Sequence, residues 1–323
     1  MLQLSMALLV VAAPSLKLLD ATMPAIAKRA EPGRLGVAVY DFATGRRWSL
    51  RGDEGFPLQS VFKVMAGARM LQEVDAGRRR IDEPVQITAR ELSVFWSPIT
   101  DEWRPPAKTY PLRRLIELAV AVSDNTAGDH ILRLGGGPSA LNAMFAKAGI
   151  NGVRVDRYER ELQPECAGLP PFPPEAVIDV PKFARDVEAQ PDAVKTRALE
   201  AYLADPRDTA TPNGAVDFLV ALANGKLLGA ESTSRLLAIM TSTTTGKHRM
   251  KAGLPAGVAL AHKTGTANTV LGTSPAVNDI GIVTLVDGRR VAIAVFLSGA
   301  RGDEASREGI LAEVARLVVE ASR

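Results

Sequence analysis

The residues with the clearest chemical promise begin at Ser60-Val61-Phe62-Lys63. A serine hydroxyl is a weak nucleophile until a neighbour accepts its proton. If a helix starts at Ser60, Lys63 lies one turn on, on the same face. A desolvated lysine near other cations is neutral enough to help. The helix start also aims backbone N–H groups at any oxyanion formed there. Taken alone, the plainer reading is stronger: a capping serine followed by a surface lysine. Ser123-Asp124-Asn125 falls between two helical patterns and alone reads as a polar turn and cap. Lys263-Thr264-Gly265-Thr266 ends an apolar strand, where Gly265 lets a ligand approach the backbone; the plain alternative is a strand end entering a turn. Together the three groups are less easily dismissed. Each occurs once, in this order, on a helix start, a helix–helix turn and a strand.

The elements that must position them follow from periodicity. Arg34 to Asp41 reads as a strand, and Arg46 to Leu50 pairs with it through the turn Ala43-Thr44-Gly45. Helical spacing runs over Val61–Ala76, Leu112–Val122, Thr126–Leu134 and Ser139–Ala148. Gly135-Gly136-Gly137 stops the third of these. Between 163 and 206, Pro164, Pro170, Pro171, Pro173, Pro174, Pro181 and Pro191 predict loop in the first half, with a short helix over Val194–Leu203. Helical patterns return at Gly214–Asn224 and Thr233–Thr241. Strands follow at Val258–Lys263, Asp279–Val286 and Arg290–Leu297, the last two joined at Asp287-Gly288, and a helix closes the chain over Glu304–Ser322. Early and late strands most simply form one antiparallel sheet, with the middle helices as a separate lobe. The fold class is therefore α/β, an antiparallel sheet flanked by helices plus an all-helical lobe.

Composition removes several function classes. The 323 residues are 46% hydrophobic and 23% charged, an ordinary globular balance. The net charge of +3 comes with no basic block, so no nucleic-acid partner is expected. One cysteine, Cys166, excludes an internal disulfide and a cysteine-built zinc site. His130, His248 and His262 are too scattered for an ordinary metal site. Leu4–Ala13 is an apolar run of ten, too short to span a bilayer and suited to a signal-peptide core. No Lys or Arg precedes it and Pro14 follows it. The alternative is a buried N-terminal helix continuing through SLKLLDATMPAIAKRA. Export is the favoured reading, to the periplasm or beyond, and no membrane span is expected.

The ordered trio Ser-x-x-Lys, Ser-Asp-Asn and Lys-Thr-Gly resembles the serine penicillin-recognising enzymes, and most of all the class A serine β-lactamases, over about Gly33 to Val318. Asp156-Arg157-Tyr158-Glu159-Arg160-Glu161-Leu162 resembles the start of the class A Ω-loop, and Glu159 matches its water-activating carboxylate. By itself Glu159 is one charge among several, with Glu161 as its rival; the Arg-x-Glu-x-x-Leu pattern favours Glu159. Arg207-Asp208-Thr209-Ala210-Thr211-Pro212 resembles the end of that loop, which implies an Arg157–Asp208 ion pair. The loop departs from the family in two ways. Residues 164–206, 43 of them, separate Gln163 from Arg207 where the usual loop is short. Gln163 stands where many relatives carry an Asn that helps hold the hydrolytic water. Trp96 resembles an aromatic gate, or else packs in the core. Arg249 resembles an arginine that pairs with the substrate carboxylate, or else is a solvated charge. His262 before Lys263, Gln59 before Ser60, and Asn278-Asp279-Ile280-Gly281 resemble the extended-spectrum branch.

The resemblance implies roles. Ser60 would attack the β-lactam carbonyl, passing its proton to Lys63, or to Glu159 through a water. Backbone N–H groups of Ser60 and Thr266 would form the oxyanion hole. Ser123 would relay a proton to the leaving nitrogen. Lys263 and Thr264, with Arg249, would bind the substrate carboxylate, and Gly265, Thr266, Asn125, Trp96 and Gln163 would contact the rest of the substrate. Glu159 would activate water for deacylation. No cofactor or metal is needed, and the partner is a small-molecule β-lactam bound by a monomer. The expected organisation is a signal peptide over 1–14, a discontinuous α/β domain of 15–59 and 213–323, and a helical domain of 60–212 with an enlarged Ω-loop over about 156–212. A penicillin-binding D-Ala-D-Ala peptidase, which lacks the Ω-loop carboxylate, is one alternative. A non-catalytic β-lactam sensor using the proline-rich insertion as a partner surface is another.

Overall fold

The computed structural model describes residues 16–173 and 176–322. The apolar run Leu4–Ala13 and the proposed leader of 1–14 lie outside them. The chain begins with α1 (Leu16–Lys28), β1 (Arg34–Asp41), β2 (Arg47–Leu50), β3 (Phe56–Pro57), α2 (Phe62–Asp75), β4 (Pro84–Thr88), α3 (Pro98–Glu102), β5 (Ala107–Pro111) and α4 (Leu112–Glu117). It continues through α5 (Asn125–Leu134), α6 (Gly137–Ala148), α7 (Glu159–Cys166), α8 (Val180–Glu188), α9 (Asp192–Ala204), β6 (Thr209–Ala210) and α10 (Pro212–Ala223). The last elements are α11 (Ala230–Thr241), β7 (Ala259–Thr266), β8 (Val277–Thr284), β9 (Arg290–Ser298) and α12 (Glu304–Ala321).

One five-stranded antiparallel sheet, in the order β2-β1-β9-β8-β7, forms the frame. Its central strand β9 is apolar on both faces because both are covered. Val291, Ile293, Val295 and Leu297 face α1 and α12, while Ala292, Ala294 and Phe296 face the other core, with α10. On α12, Ile310, Leu311, Val314, Leu317 and Val318 recur at helical spacing and are buried against the sheet side. Each such buried aliphatic chain is worth about 1.5–3 kcal/mol over leaving it exposed. The segment after the N-terminal apolar run is helical: Leu19, Met23 and Ile26 of α1 are buried in that same layer.

The helical lobe is built around α2, which is buried on nearly every side by α5, α11 and the π-turn Leu118–Val122. It also carries the hairpin β4–β5, to which periodicity assigns no element. Only Val85 and Ile87 of β4 are buried, too short an alternation to stand out.

The proline-rich stretch corrects an expectation. The first half of 163–206 is not all loop: α7 runs through Pro164, and α8 occupies Val180–Glu188. Pro181 sits in the first turn of α8, where a missing N–H costs nothing, and Asp179 caps it by accepting Lys182 N–H at 2.9 Å. Phe183 of α8 is buried with Ile178 and with Val94, which lies outside the insertion, so a small apolar cluster fastens the insertion to the segment before α3.

Candidate active site

Ser60 lies in a 3₁₀ turn, Gln59–Val61, that runs directly into α2. Its Oγ accepts a hydrogen bond from Lys63 Nζ at 2.9 Å. Lys63 is fully buried and also donates to Ser123 O at 2.8 Å and to Asn125 Oδ1. Packing fixes this approach. A Cβ on Gly128 of α5 would fall 2.7 Å from Lys63 Cε, so a glycine there makes room for the lysine stem. Gln59, the residue before Ser60, has φ +47°, a left-handed backbone that is costly for a side-chain-bearing residue.

The two other sequence groups converge on the same point. Ser123 also has a left-handed backbone, φ +68°, and Asp124 fixes the loop by accepting the N–H groups of Ala127 at 2.9 Å and Ile99 at 2.7 Å. Lys263 Nζ donates to Ser123 Oγ at 2.9 Å. Burial, and then the charge of Lys63, push the Lys263 ammonium well below the usual lysine range. Strand β7 is a sheet edge and packs on the turn that carries Ser60. A Cβ on Gly265 would lie 2.5 Å from Leu58 O and 3.2 Å from Val61 N, so only glycine permits the approach. Asn278 of β8 fastens the segment from behind, donating to Pro57 O at 2.8 Å and Leu58 O at 3.2 Å.

Glu159, at the start of α7, is buried, with Oε1 3.1 Å from Lys63 Nζ and 3.4 Å from Ser60 Oγ. Its rival Glu161 instead accepts Tyr158 N–H at 2.9 Å. Gln163 Nε2 donates to Glu159 Oε2 at 2.7 Å. The base of the loop is tied as the resemblance implies: Arg157 Nε donates to Asp208 Oδ2 at 2.6 Å, and Asp208 Oδ1 accepts Asp156 N–H at 2.6 Å. Arg157 also pairs with Glu165, and with Asp205 at 3.1 Å. Ser60, Trp96, Ser123, Asn125, Gln163, Arg249, Thr264 and Thr266 all line one open cleft of ≈ 390 Å³.

Comparison with known proteins decides what this cleft belongs to. Residues 18–322 match the family described as the Beta-lactamase enzyme family. The chain is 30% identical to the extended-spectrum beta-lactamase PER-1 of Pseudomonas aeruginosa over 87% of its own length and 80% of that protein. It is 29% identical to the carbapenem-hydrolyzing beta-lactamase KPC of Klebsiella oxytoca, over 89% of this chain and 84% of that one. A beta-lactamase from Chitinophaga pinensis superposes with TM-score 0.78 at 31% identity, covering 94% of this chain and 99% of that chain. An ancestral class A beta-lactamase of Gram-negative bacteria gives TM-score 0.75 at 32% identity, over 94% and 99%. The chain belongs to the class A β-lactamases. Its activity class is accordingly hydrolysis of the cyclic β-lactam amide. Among the described residues, no helix is long and apolar enough to cross a membrane.

Two candidates of this β-lactamase sit differently from one of their sequence readings. Trp96 is not core packing: it is 59% exposed at the cleft, with its indole N–H donated to Val122 O at 2.8 Å. Arg249 is not a solvated charge. It is buried, its Nε pairs with Glu308 at 2.8 Å, and its Nη2 donates to Thr266 Oγ1 at 2.8 Å on the cleft wall. Glu308 has no sequence signal, being 59 residues from its partner.

Asp129 is a further residue that sequence reasoning missed. It lies four residues after Asn125 on α5, so helical spacing alone places it on the Asn125 face. Fully buried, it accepts the N–H groups of Glu159 at 2.6 Å and Arg160 at 3.1 Å, and so seats the start of α7. Burial, and then the charge of Glu159, push its carboxyl up to about 7. An acid raised in this way holds a proton in the native state that the unfolded chain has released. Its contribution is full below about pH 4, the ordinary aspartate value, and is lost as pH rises toward 7. In Asp129→Asn that titration is absent. Thermal melts of both proteins from pH 4 to 7.5 should show wild type losing stability relative to the variant; parallel curves would remove Asp129 as the source.

Proposed function

We propose that this β-lactamase opens its substrate through a Ser60 ester and frees itself with Glu159. The substrate carboxylate pairs with Lys263 and Thr264, where a second charge would restore the weakened Lys263 ammonium. Arg249 acts on that carboxylate mainly through Thr266. Ser60 Oγ attacks the lactam carbonyl while its proton passes to Lys63, or to Glu159 through a water. Backbone N–H groups of Ser60 and Thr266 hold the oxyanion. The C–N bond breaks as Ser123 delivers a proton to the nitrogen, and Ser123 is resupplied with the proton taken from Ser60. Asn125, Trp96 and Gln163 contact the side chain of the substrate. In the second half Glu159 takes a proton from water, the hydroxide adds to the ester, and Ser60 leaves with its proton restored.

The observation that carries this reading is the joint reach to Ser60 Oγ of an amine at 2.9 Å and a carboxylate at 3.4 Å. A D-Ala-D-Ala peptidase or a sensor has no use for the second group. The small net charge of +3 supports a small-molecule substrate and no nucleic-acid partner, and the Leu4–Ala13 run supports export to the periplasm. Intact-protein mass spectrometry with a cephalosporin, sampled over time, tests the whole cycle. The expected result is a transient acyl adduct on Ser60 that disappears while product accumulates. A stable adduct without product would favour the peptidase or sensor.

A further inference from the structure

The insertion reaches the active site from behind. Helices α7, α8 and α9 and the loop after β7 enclose an apolar chamber of ≈ 260 Å³ whose wall includes Gln59, Gln163 and Tyr202. Three hydrogen bonds cross that wall in series. Tyr202 Oη accepts from Gln59 Nε2. Gln59 Oε1 accepts from Gln163 Nε2 at 3.1 Å. Gln163 Nε2 gives its other proton to Glu159 Oε2 at 2.7 Å.

The polarity of this chain is dictated by chemistry. An ionised carboxylate only accepts, so Gln163 must present its amide nitrogen. Both protons of that nitrogen are then in use, and Gln59 must present its oxygen. The Gln59 nitrogen is left facing Tyr202, whose hydroxyl must accept. Tyr202 is only 6% exposed, and burial pushes its phenol well above the usual tyrosine range, so the group stays a neutral hydroxyl. The left-handed backbone at Gln59 sets the direction in which its side chain leaves the nucleophile turn. Each link has one workable orientation, and together they clamp Oε2 of Glu159 while Oε1 faces Ser60.

We propose that Tyr202, on the inserted helix α9, is a positioning residue for the deacylating carboxylate and acts through Gln59 and Gln163. The proposal rests on the reading of Glu159 as the water-activating base. Without the phenol oxygen the Gln59 amide loses the partner that fixes its orientation. Gln163 is then no longer held in the one pose that clamps Glu159. The Lys63–Ser60 contact is outside this chain, so acylation should be spared.

Tyr202→Phe keeps the ring in its apolar wall and removes only the hydroxyl. Stopped-flow kinetics with nitrocefin on the full-length enzyme separate acylation from deacylation. Deacylation should fall about five- to tenfold, the scale of one lost hydrogen bond, with acylation within about twofold of wild type. KM should fall in step with kcat, as expected when only the second step slows. A merely structural defect would lower both steps and leave KM alone. In a Gln163→Met background, Tyr202→Phe should add nothing to the deacylation defect. Should Tyr202→Phe melt too low to assay, Gln59→Met cuts the same chain one link inward and should give the same selective loss. Glu159→Gln is the control for the underlying reading. Blocked deacylation there beside normal deacylation in Tyr202→Phe overturns the role of Tyr202 alone. Normal deacylation in Glu159→Gln overturns both. Additive defects in the double variant also overturn the role of Tyr202.

Discussion

Ser60→Ala should abolish covalent labelling by benzylpenicillin and lower hydrolysis by at least about 10⁴-fold, because a covalent mechanism has no partial form without its nucleophile. The protein itself should survive the change. Lys63 keeps Ser123 O, Asn125 Oδ1 and the carboxylate of Glu159 when the hydroxyl goes, so no buried charge is stranded. The left-handed strain at Gln59 also remains or relaxes, since alanine places no new demand on the turn. Melting temperature should therefore move by only a few degrees while activity disappears. Fluorescent-penicillin gels and intact mass together read the outcome. An adduct that persists on another residue would refute the assignment of Ser60, however similar the fold.

Much of this architecture can be read from sequence, for reasons that differ by element. Strand β9 is legible because two covered faces leave an unbroken apolar run, Val291 to Leu297. The three chemical groups are legible because each is local: Ser60 and Lys63 are one helical turn apart, and Ser123 and Asn125 share one turn between helices. What is not legible is mostly long-range. The Tyr202–Gln59 bond spans 143 residues and the Arg249–Glu308 pair spans 59, and no local pattern marks either partner. Helix α8 is hidden by the opposite error, in which proline is weighed as a breaker without regard to its place in the first turn. The departure noted in sequence, Gln163 in place of the usual Asn, gains its physical meaning only from the fold. There Gln163 contacts both Glu159, the candidate base, and Gln59, the residue before Ser60.

Glu159→Gln should split the reaction at its midpoint. Glutamine occupies the same volume and retains an acceptor for Gln163 Nε2, so the seat of α7 on Asp129 should hold. It cannot take a proton from water. Loss of a positioned general base costs about 10²–10⁴-fold, and that cost should fall on deacylation. Acylation depends first on the Lys63–Ser60 contact at 2.9 Å and should persist more nearly intact. Rapid mixing with nitrocefin should then give a burst of one product per enzyme followed by a near-flat line, with the acyl adduct trapped on Ser60 by mass. Unchanged steady-state turnover would remove Glu159 from the mechanism. A variant that fails to acylate at all would instead make Glu159 the first proton acceptor, with Lys63 holding Ser60 in place. The burst amplitude thus decides between the two routes by which the serine proton can leave.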